Sequence, residues 1–241
     1  MWEYENMRMW KCGNVEMRKW GNGGNEGNEG MSVFPKVLIS LIHSVFQFLI
    51  LSISHSHIPT FSQYIWLMNR KILLGVTGSI AAYKAVELVR LFIRNGDTVQ
   101  VVMTPAACEF VKPLTFQTLS QNPVYVEQFA PVVSWKPEHI ALSECDLALV
   151  APATANTIAK LRYGLADNLL CATLLATRAP LVVAPAMNTG MWESPVTQDN
   201  IAALKARGVK VVDPVDGELA CGVKGNGRMM EPEKVFELLS R

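Results

Sequence analysis

From Lys71 to the end of the chain, short runs of consecutive apolar residues alternate with longer stretches whose apolar positions recur at helical spacing. Ile72–Val76 is an unbroken apolar run closed by Thr77-Gly78-Ser79. Ala81–Asn95 then brings Ala82, Ala85, Val86, Val89 and Phe92/Ile93 to one face of a helix, Asn95-Gly96 ends it, and Thr98–Met103 is rich in β-branched residues. Together these segments predict a βαβ unit. Leu147–Val150, Leu181–Ala184 and Val209–Val212 are further apolar runs, separated by predicted helices over Thr154–Tyr163, Asn168–Thr177, Pro195–Arg207 and Pro232–Leu239. Strands without in/out alternation, spaced by helices, belong to a parallel sheet covered on both faces. The expected fold class is α/β: a three-layer, Rossmann-like (flavodoxin-like), mostly parallel sheet with helices on both sides.

Upstream of Met68 the pattern is different. Met1–Gly30 mixes Trp, Met, Asn, Glu and Gly with neither strand nor helix period, so it buries too little apolar surface to offset chain entropy, and disorder is expected. Val37–Ile53 is apolar but interrupted by Ser40, His43, Ser44 and Gln47, and it falls short of the roughly 20 residues a spanning helix needs. A long leader of mixed charge precedes it and Ser54-His55-Ser56-His57-Ile58-Pro59 follows, unlike the flanks of a signal peptide. The expected organisation is a disordered or spurious extension over residues 1–67 and one folded domain over 68–241. No membrane partner is expected.

A chain of 241 residues, half of them hydrophobic, supports one well-buried domain plus an extra segment. The formal charge of +1, without a Lys/Arg cluster, lacks the electrostatic footprint of a nucleic-acid binder. Cys12, Cys108, Cys145, Cys171 and Cys221 are widely spaced with no Cys-x-x-Cys pair, which reads as reduced thiols in a cytoplasmic protein without a metal site.

Ligands of open α/β sheets bind outside the carboxyl ends of the strands. Leu147–Val150 runs into Ala151-Pro152-Ala153-Thr154-Ala155-Asn156-Thr157, and Leu181–Ala184 runs into Pro185-Ala186-Met187-Asn188, so two successive strand ends finish in small residues and an asparagine. One such asparagine is more often a helix cap than a ligand contact; two at adjacent strand ends shift that balance. Gly75-Val76-Thr77-Gly78-Ser79-Ile80 has the chemistry of an anion site, with Gly78 for the tight turn and Ser79 as a cap, although the full G-x-G-x-x-G spacing is absent. The turn at Thr104-Pro105-Ala106 lies beside it in a right-handed βαβ unit. His139 stands a few residues before the strand that leads to this crevice. Cys221 lies among Gly222, Gly225 and Gly227, in a segment that reads as a mobile flap, whereas Cys108, Cys145 and Cys171 read as packing residues.

The stretch from Lys71 to Arg241 resembles the homo-oligomeric flavin-containing cysteine decarboxylases, and among them those acting on phosphopantothenoylcysteine in coenzyme A biosynthesis. The resemblance rests on Gly75–Lys84 (GVTGSIAAYK), His139-Ile140, Ala151–Thr157 (APATANT), Pro185–Trp192 (PAMNTGMW), Ala220-Cys221-Gly222 and Gly225–Met229 (GNGRM), in that order. It implies that Gly78, Ser79, Ile80, Thr104, Thr154, Asn156, Thr157 and Ala186 hold FMN. It also implies that His139 acts at the reacting cysteine moiety, that Asn188, Ala220 and Met229 contact substrate, and that Cys221 donates a proton late in the cycle. The chemistry so implied has the flavin oxidise the cysteinyl thiol to a thioaldehyde, which gives the carbanion left by CO₂ an electron sink; the enethiolate then takes back the electrons and a proton. The implied substrate is 4′-phosphopantothenoylcysteine, the product 4′-phosphopantetheine, and the implied assembly a homotrimer or a higher homo-oligomer.

Val223 stands where the family flap usually carries an acidic residue, and the synthetase domain of bifunctional relatives is not in this sequence. Two alternatives share the fold: a peptidyl-cysteine decarboxylase and a non-catalytic FMN-binding regulatory subunit. Retention of His139, Asn188 and Cys221 together favours an enzyme, since binding alone requires no such set. A flavin prenyltransferase is disfavoured by the Pro-Ala-Met-Asn turn.

Overall fold

The structure is a computed structural model that describes residues 69–129, 135–218, 222 and 224–240. These residues lie within one compact unit, Pro59–Arg241. The expected extension at residues 1–67 lies outside the described residues, as do Ala220, Cys221 and Val223.

The sheet has six parallel strands in the order β3-β2-β1-β4-β5-β6. They are β1 (Lys71–Val76), β2 (Thr98–Met103), β3 (Val124–Tyr125), β4 (Leu147–Ala153), β5 (Leu181–Pro185) and β6 (Lys210–Val211). β1 and β4 are the centre, with Gly75 in register with Val102 on one side and Val150 on the other. Every residue of β4 and all but the first of β1 are buried, because helices cover both faces. Side-chain alternation divides the core accordingly. Ile72, Leu74, Val76, Leu149 and Ala151 pack with α1 (Ala82–Arg94), α2 (Pro113–Ser120) and α8 (Pro232–Leu239). Leu73, Ala148 and Val150 pack with α3 (Glu138–Ser143), α4 (Ala155–Tyr163), α5 (Leu169–Ala176) and α7 (Pro195–Ala206). α6 (Thr189–Glu193) is a short helix between β5 and α7.

The order of strands reverses direction between β1 and β4, which is the switch point where an open parallel sheet leaves a crevice beyond its carboxyl edge. The predicted parallel α/β fold is the one observed. Elements not expected from the pattern include α2, the short α6, the two-residue β3, and an antiparallel hairpin of β7 (Val215–Glu218) and β8 (Lys224–Arg228). The hairpin is too glycine-rich for strand propensity to reveal it. β8 is instead held by the Met187 amide, which donates to the Gly227 carbonyl, and by the close approach of Gly225 to Thr189, so Gly225 and Gly227, read as part of a mobile flap, lie in a paired strand.

Candidate active site

The carboxyl ends of four strands are tied into one row by backbone and side-chain hydrogen bonds. The Thr104 amide after β2 donates to the Val76 carbonyl at 3.0 Å. The buried Thr77 hydroxyl, after β1, donates to the Pro152 carbonyl at 2.7 Å and accepts from the Thr154 amide at 3.1 Å. The Ala186 amide after β5 donates to the Ala153 carbonyl at 3.1 Å. The predicted residues Gly78, Ser79, Ile80, Thr104, Thr154 and Ala186 are therefore brought to one edge, with Asn156 exposed and Thr157 buried in the first turn of α4. Thr77 was not singled out from the sequence, yet its one hydroxyl joins β1 to β4.

Two turns along this row offer anion-binding groups. In the first, the Ser79 amide donates to the Thr77 carbonyl and the Ser79 hydroxyl accepts the Ala81 amide at 3.3 Å. Ser79 thus braces the turn and does not cap the helix, since α1 starts at Ala82 behind Ala81, which makes no side-chain cap. The Gly78 and Ile80 amides find no acceptor among the described residues. A Cβ on Gly78 would lie 2.6 Å from Ala106 Cβ, so the turn admits only glycine against the loop that follows β2. In the second turn Thr154 caps α4, its Oγ1 accepting the Thr157 amide at 3.3 Å, while the Ala155 and Asn156 amides find no acceptor among the described residues. Phosphate-bearing groups suit both turns.

Asn188 is the N-cap of α6, and its Oδ1 accepts the Gly190 amide at 2.8 Å. That fixes the side chain while leaving Nδ2 without a partner among the described residues, in an exposed position beside Ala186. The turn is held from the other side by β8: the Met187 amide donates to the Gly227 carbonyl at 3.0 Å. Gly227 has φ +139°, and a Cβ there would run into the Met187 carbonyl oxygen. Gly227→Ala is accordingly expected to lower stability by about 1–3 kcal/mol, the usual cost of one such backbone conformation. A guanidinium titration whose midpoint stays within error of the parent protein's would contradict this close approach.

His139 lies half-buried on α3, which packs chiefly on α5, and no hydrogen bond joins it to the row of strand ends. Met229 is buried directly after β8. Burial pushes the thiols of Cys108, Cys145 and Cys171 up from their ordinary values, which fits packing residues with little thiolate. A feature absent from the sequence reading is Lys84, whose ammonium is buried on the core face of α1.

The model of the Flavoprotein family matches residues 62–241. The chain belongs to this family. Among its relatives, a probable phosphopantothenoylcysteine decarboxylase of Streptococcus mutans is 46% identical over 173 residues, spanning 70% of this chain and 97% of the relative. A bifunctional coenzyme A biosynthesis protein of Haemophilus influenzae is 45% identical over 175 residues, spanning 72% of this chain and 44% of the relative. The flavoprotein therefore spans less than half the length of the bifunctional relatives it matches. Among solved structures, a cysteine-to-serine mutant of a phosphopantothenoylcysteine decarboxylase complexed with pantothenoylaminoethenethiol is similar with a TM-score of 0.64 at 32% identity, covering 71% of this chain and 96% of that one. The FMN-binding protein AtHal3 is similar with a TM-score of 0.62 at 32% identity, covering 71% and 95%.

Proposed function

We propose that this flavoprotein binds FMN and converts 4′-phosphopantothenoylcysteine to 4′-phosphopantetheine and CO₂. The observation that carries the reading is the pairing of a glycine-only turn and a capped helix start, suited to a phosphate, with an asparagine whose amide is fixed and free at the next strand end. Gly78, Ser79, Ile80, Thr104, Thr154, Asn156, Thr157 and Ala186 line the row that would hold the flavin. Bound FMN supplies the electron sink that a cysteinyl carboxylate lacks. Asn188 Nδ2 donates to that carboxylate. Being neutral, it orients the group without the strong ground-state stabilisation that a cation would give, which would oppose CO₂ loss. His139, whose imidazole has no hydrogen-bond partner among the described residues, is proposed to act at the cysteinyl thiol. Ala220 and Met229 complete the substrate contacts, and Cys221 returns a proton to the decarboxylated product.

The assembly is proposed to be a homotrimer or a higher homo-oligomer. Ile80, at the flavin turn, and its neighbour Tyr83 are more than half exposed, which favours cover by a second copy. No described helix is long and apolar enough to cross a membrane, and a cytoplasmic location is proposed.

Purified protein reconstituted with FMN should release CO₂ from 4′-phosphopantothenoylcysteine and form 4′-phosphopantetheine. Turnover of a peptide ending in cysteine, with none of the phosphopantothenoyl substrate, would move the assignment to the peptidyl-cysteine decarboxylases. Flavin binding without turnover of either would leave a regulatory FMN-binding subunit.

A further inference from the structure

α1 places one charged residue on an otherwise apolar face, with Ala82, Ala85, Leu88 and Val89. Lys84 is 4% exposed, and its Nζ donates to the Met229 carbonyl at 2.7 Å. The same Nζ lies 3.2 Å from Glu231 Oε2, while Glu231 Oε1 accepts from Arg228 Nη2 at 2.6 Å. One carboxylate is therefore shared between the helix that leaves the first flavin turn and the last residue of β8. Burial pulls the Lys84 pKa down, and Glu231 opposes this. Replacing a buried ion pair as a whole by apolar groups of similar volume avoids the desolvation cost and is often neutral or stabilising, whereas removing the ammonium alone leaves the Met229 carbonyl without its donor. Stability alone gives no reason for building an ion pair here in place of an apolar contact.

Geometry supplies one. β8 is fixed on one flank by the Met187 amide donating to the Gly227 carbonyl, and at its end by Lys84 holding the Met229 carbonyl. Between these two bonds the strand spans the distance from the Asn188 turn to the helix of the Gly78 turn. We propose that Lys84, through Met229 and Glu231, is a positioning residue that sets the β7–β8 hairpin, and with it the Met187-Asn188 turn, relative to the flavin turn. The inference rests on the proposed decarboxylase reading for its kinetic consequence, and on the hydrogen bonds alone for its structural one.

Lys84→Met keeps the volume and removes the ammonium. The flavin turn is untouched, so FMN affinity should remain within about threefold of the parent value, and protection of the β1 and β4 amides should be unchanged. By contrast, hydrogen exchange at the Met187 amide should quicken at least tenfold as β8 loses its second anchor. If the protein decarboxylates, kcat/KM should fall about 10- to 100-fold, the scale for misplacing a substrate contact by an ångström. Lys84→Arg, which retains donors and charge, should recover part of both effects. Unchanged Met187 exchange in a folded Lys84→Met protein overturns the proposal. So does a uniform rise in exchange across β1 and β4, which would mean a structural role only. A parent protein that turns over no substrate would overturn the decarboxylase reading and leave the exchange result to decide the positioning role.

Discussion

Asn188→Asp is expected to lose at least about 30-fold in kcat/KM while keeping its flavin and its fold. The substitution is selective because of the cap. Asn188 Oδ1 accepts the Gly190 amide, and an aspartate carboxylate accepts the same bond, so the start of α6 is preserved; asparagine and aspartate are about equally good N-caps. What changes is the other end of the side chain, where Nδ2 becomes an oxygen with negative charge. Facing the substrate carboxylate in a partly dry crevice, the acceptor loses a hydrogen bond and adds a like charge, a change worth about 2–5 kcal/mol, or a factor of roughly 30 to several thousand. Asn188→Ala separates the two roles, since it also removes the cap and should cost about 1 kcal/mol of stability. Stopped-time assays with mass-spectrometric product detection give the rate, and flavin absorbance gives occupancy. Near-parental turnover by Asn188→Asp would remove this residue from the carboxylate contact.

The parallel α/β fold was legible because its strongest signals are local. Ile72–Val76 and Leu147–Val150 are apolar without interruption, which only burial on both faces explains, and both are central strands. The ends of helices were legible where glycine marks them, as at Gly96 with φ +87° after α1. β3 escaped the pattern because two residues, Val124 and Tyr125, give no period, and they are placed by pairing with Val101 and Val102. The hairpin escaped because Lys224-Gly225-Asn226-Gly227-Arg228 lacks the side chains that favour strands; its glycines answer to close contacts with Thr189 and Met187 made across the fold.

The gathering of the candidate site residues at one edge was legible for a different reason, that turn residues and caps are chemically restricted. Gly78, Thr154 and Asn188 each have a local structural duty, and each stands at the strand end where a ligand would be. Thr77 was less visible, since a threonine closing an apolar strand carries no distinctive spacing, and its bonds to Pro152 and Thr154 bridge residues far apart in sequence. Lys84 did carry a signal. A lysine at the helical spacing of Ala81, Ala85 and Leu88 contradicts the apolar face around it, and such a contradiction between local pattern and global fold is where function or a buried pair is expected. Its partners, Met229 and Glu231, are about 145 residues further along the chain and no periodicity connects them.

Cys221→Ser is expected to split the reaction. The residue lies outside the described residues, between β7 and β8 in the chain, and its proposed role as the late proton donor rests on the family resemblance. On the proposed reading, loss of CO₂ needs the substrate oriented by Asn188 and an electron sink, neither of which a serine at position 221 alters. Completion needs an acid near the decarboxylated enethiolate. A thiol, with an ordinary pKa of about 8.5, can give up its proton to such a carbanion-like centre, whereas an aliphatic hydroxyl is a far weaker acid. The variant should therefore release CO₂ at a rate approaching the parent's in a first turnover and then stall, yielding the unreduced enethiol, which carries two hydrogens fewer than 4′-phosphopantetheine. Anaerobic single-turnover assays with mass spectrometry distinguish the two products directly. Steady formation of 4′-phosphopantetheine by Cys221→Ser at a near-parental rate would mean that another acid serves the site, and absence of CO₂ release would mean that Cys221 acts before decarboxylation.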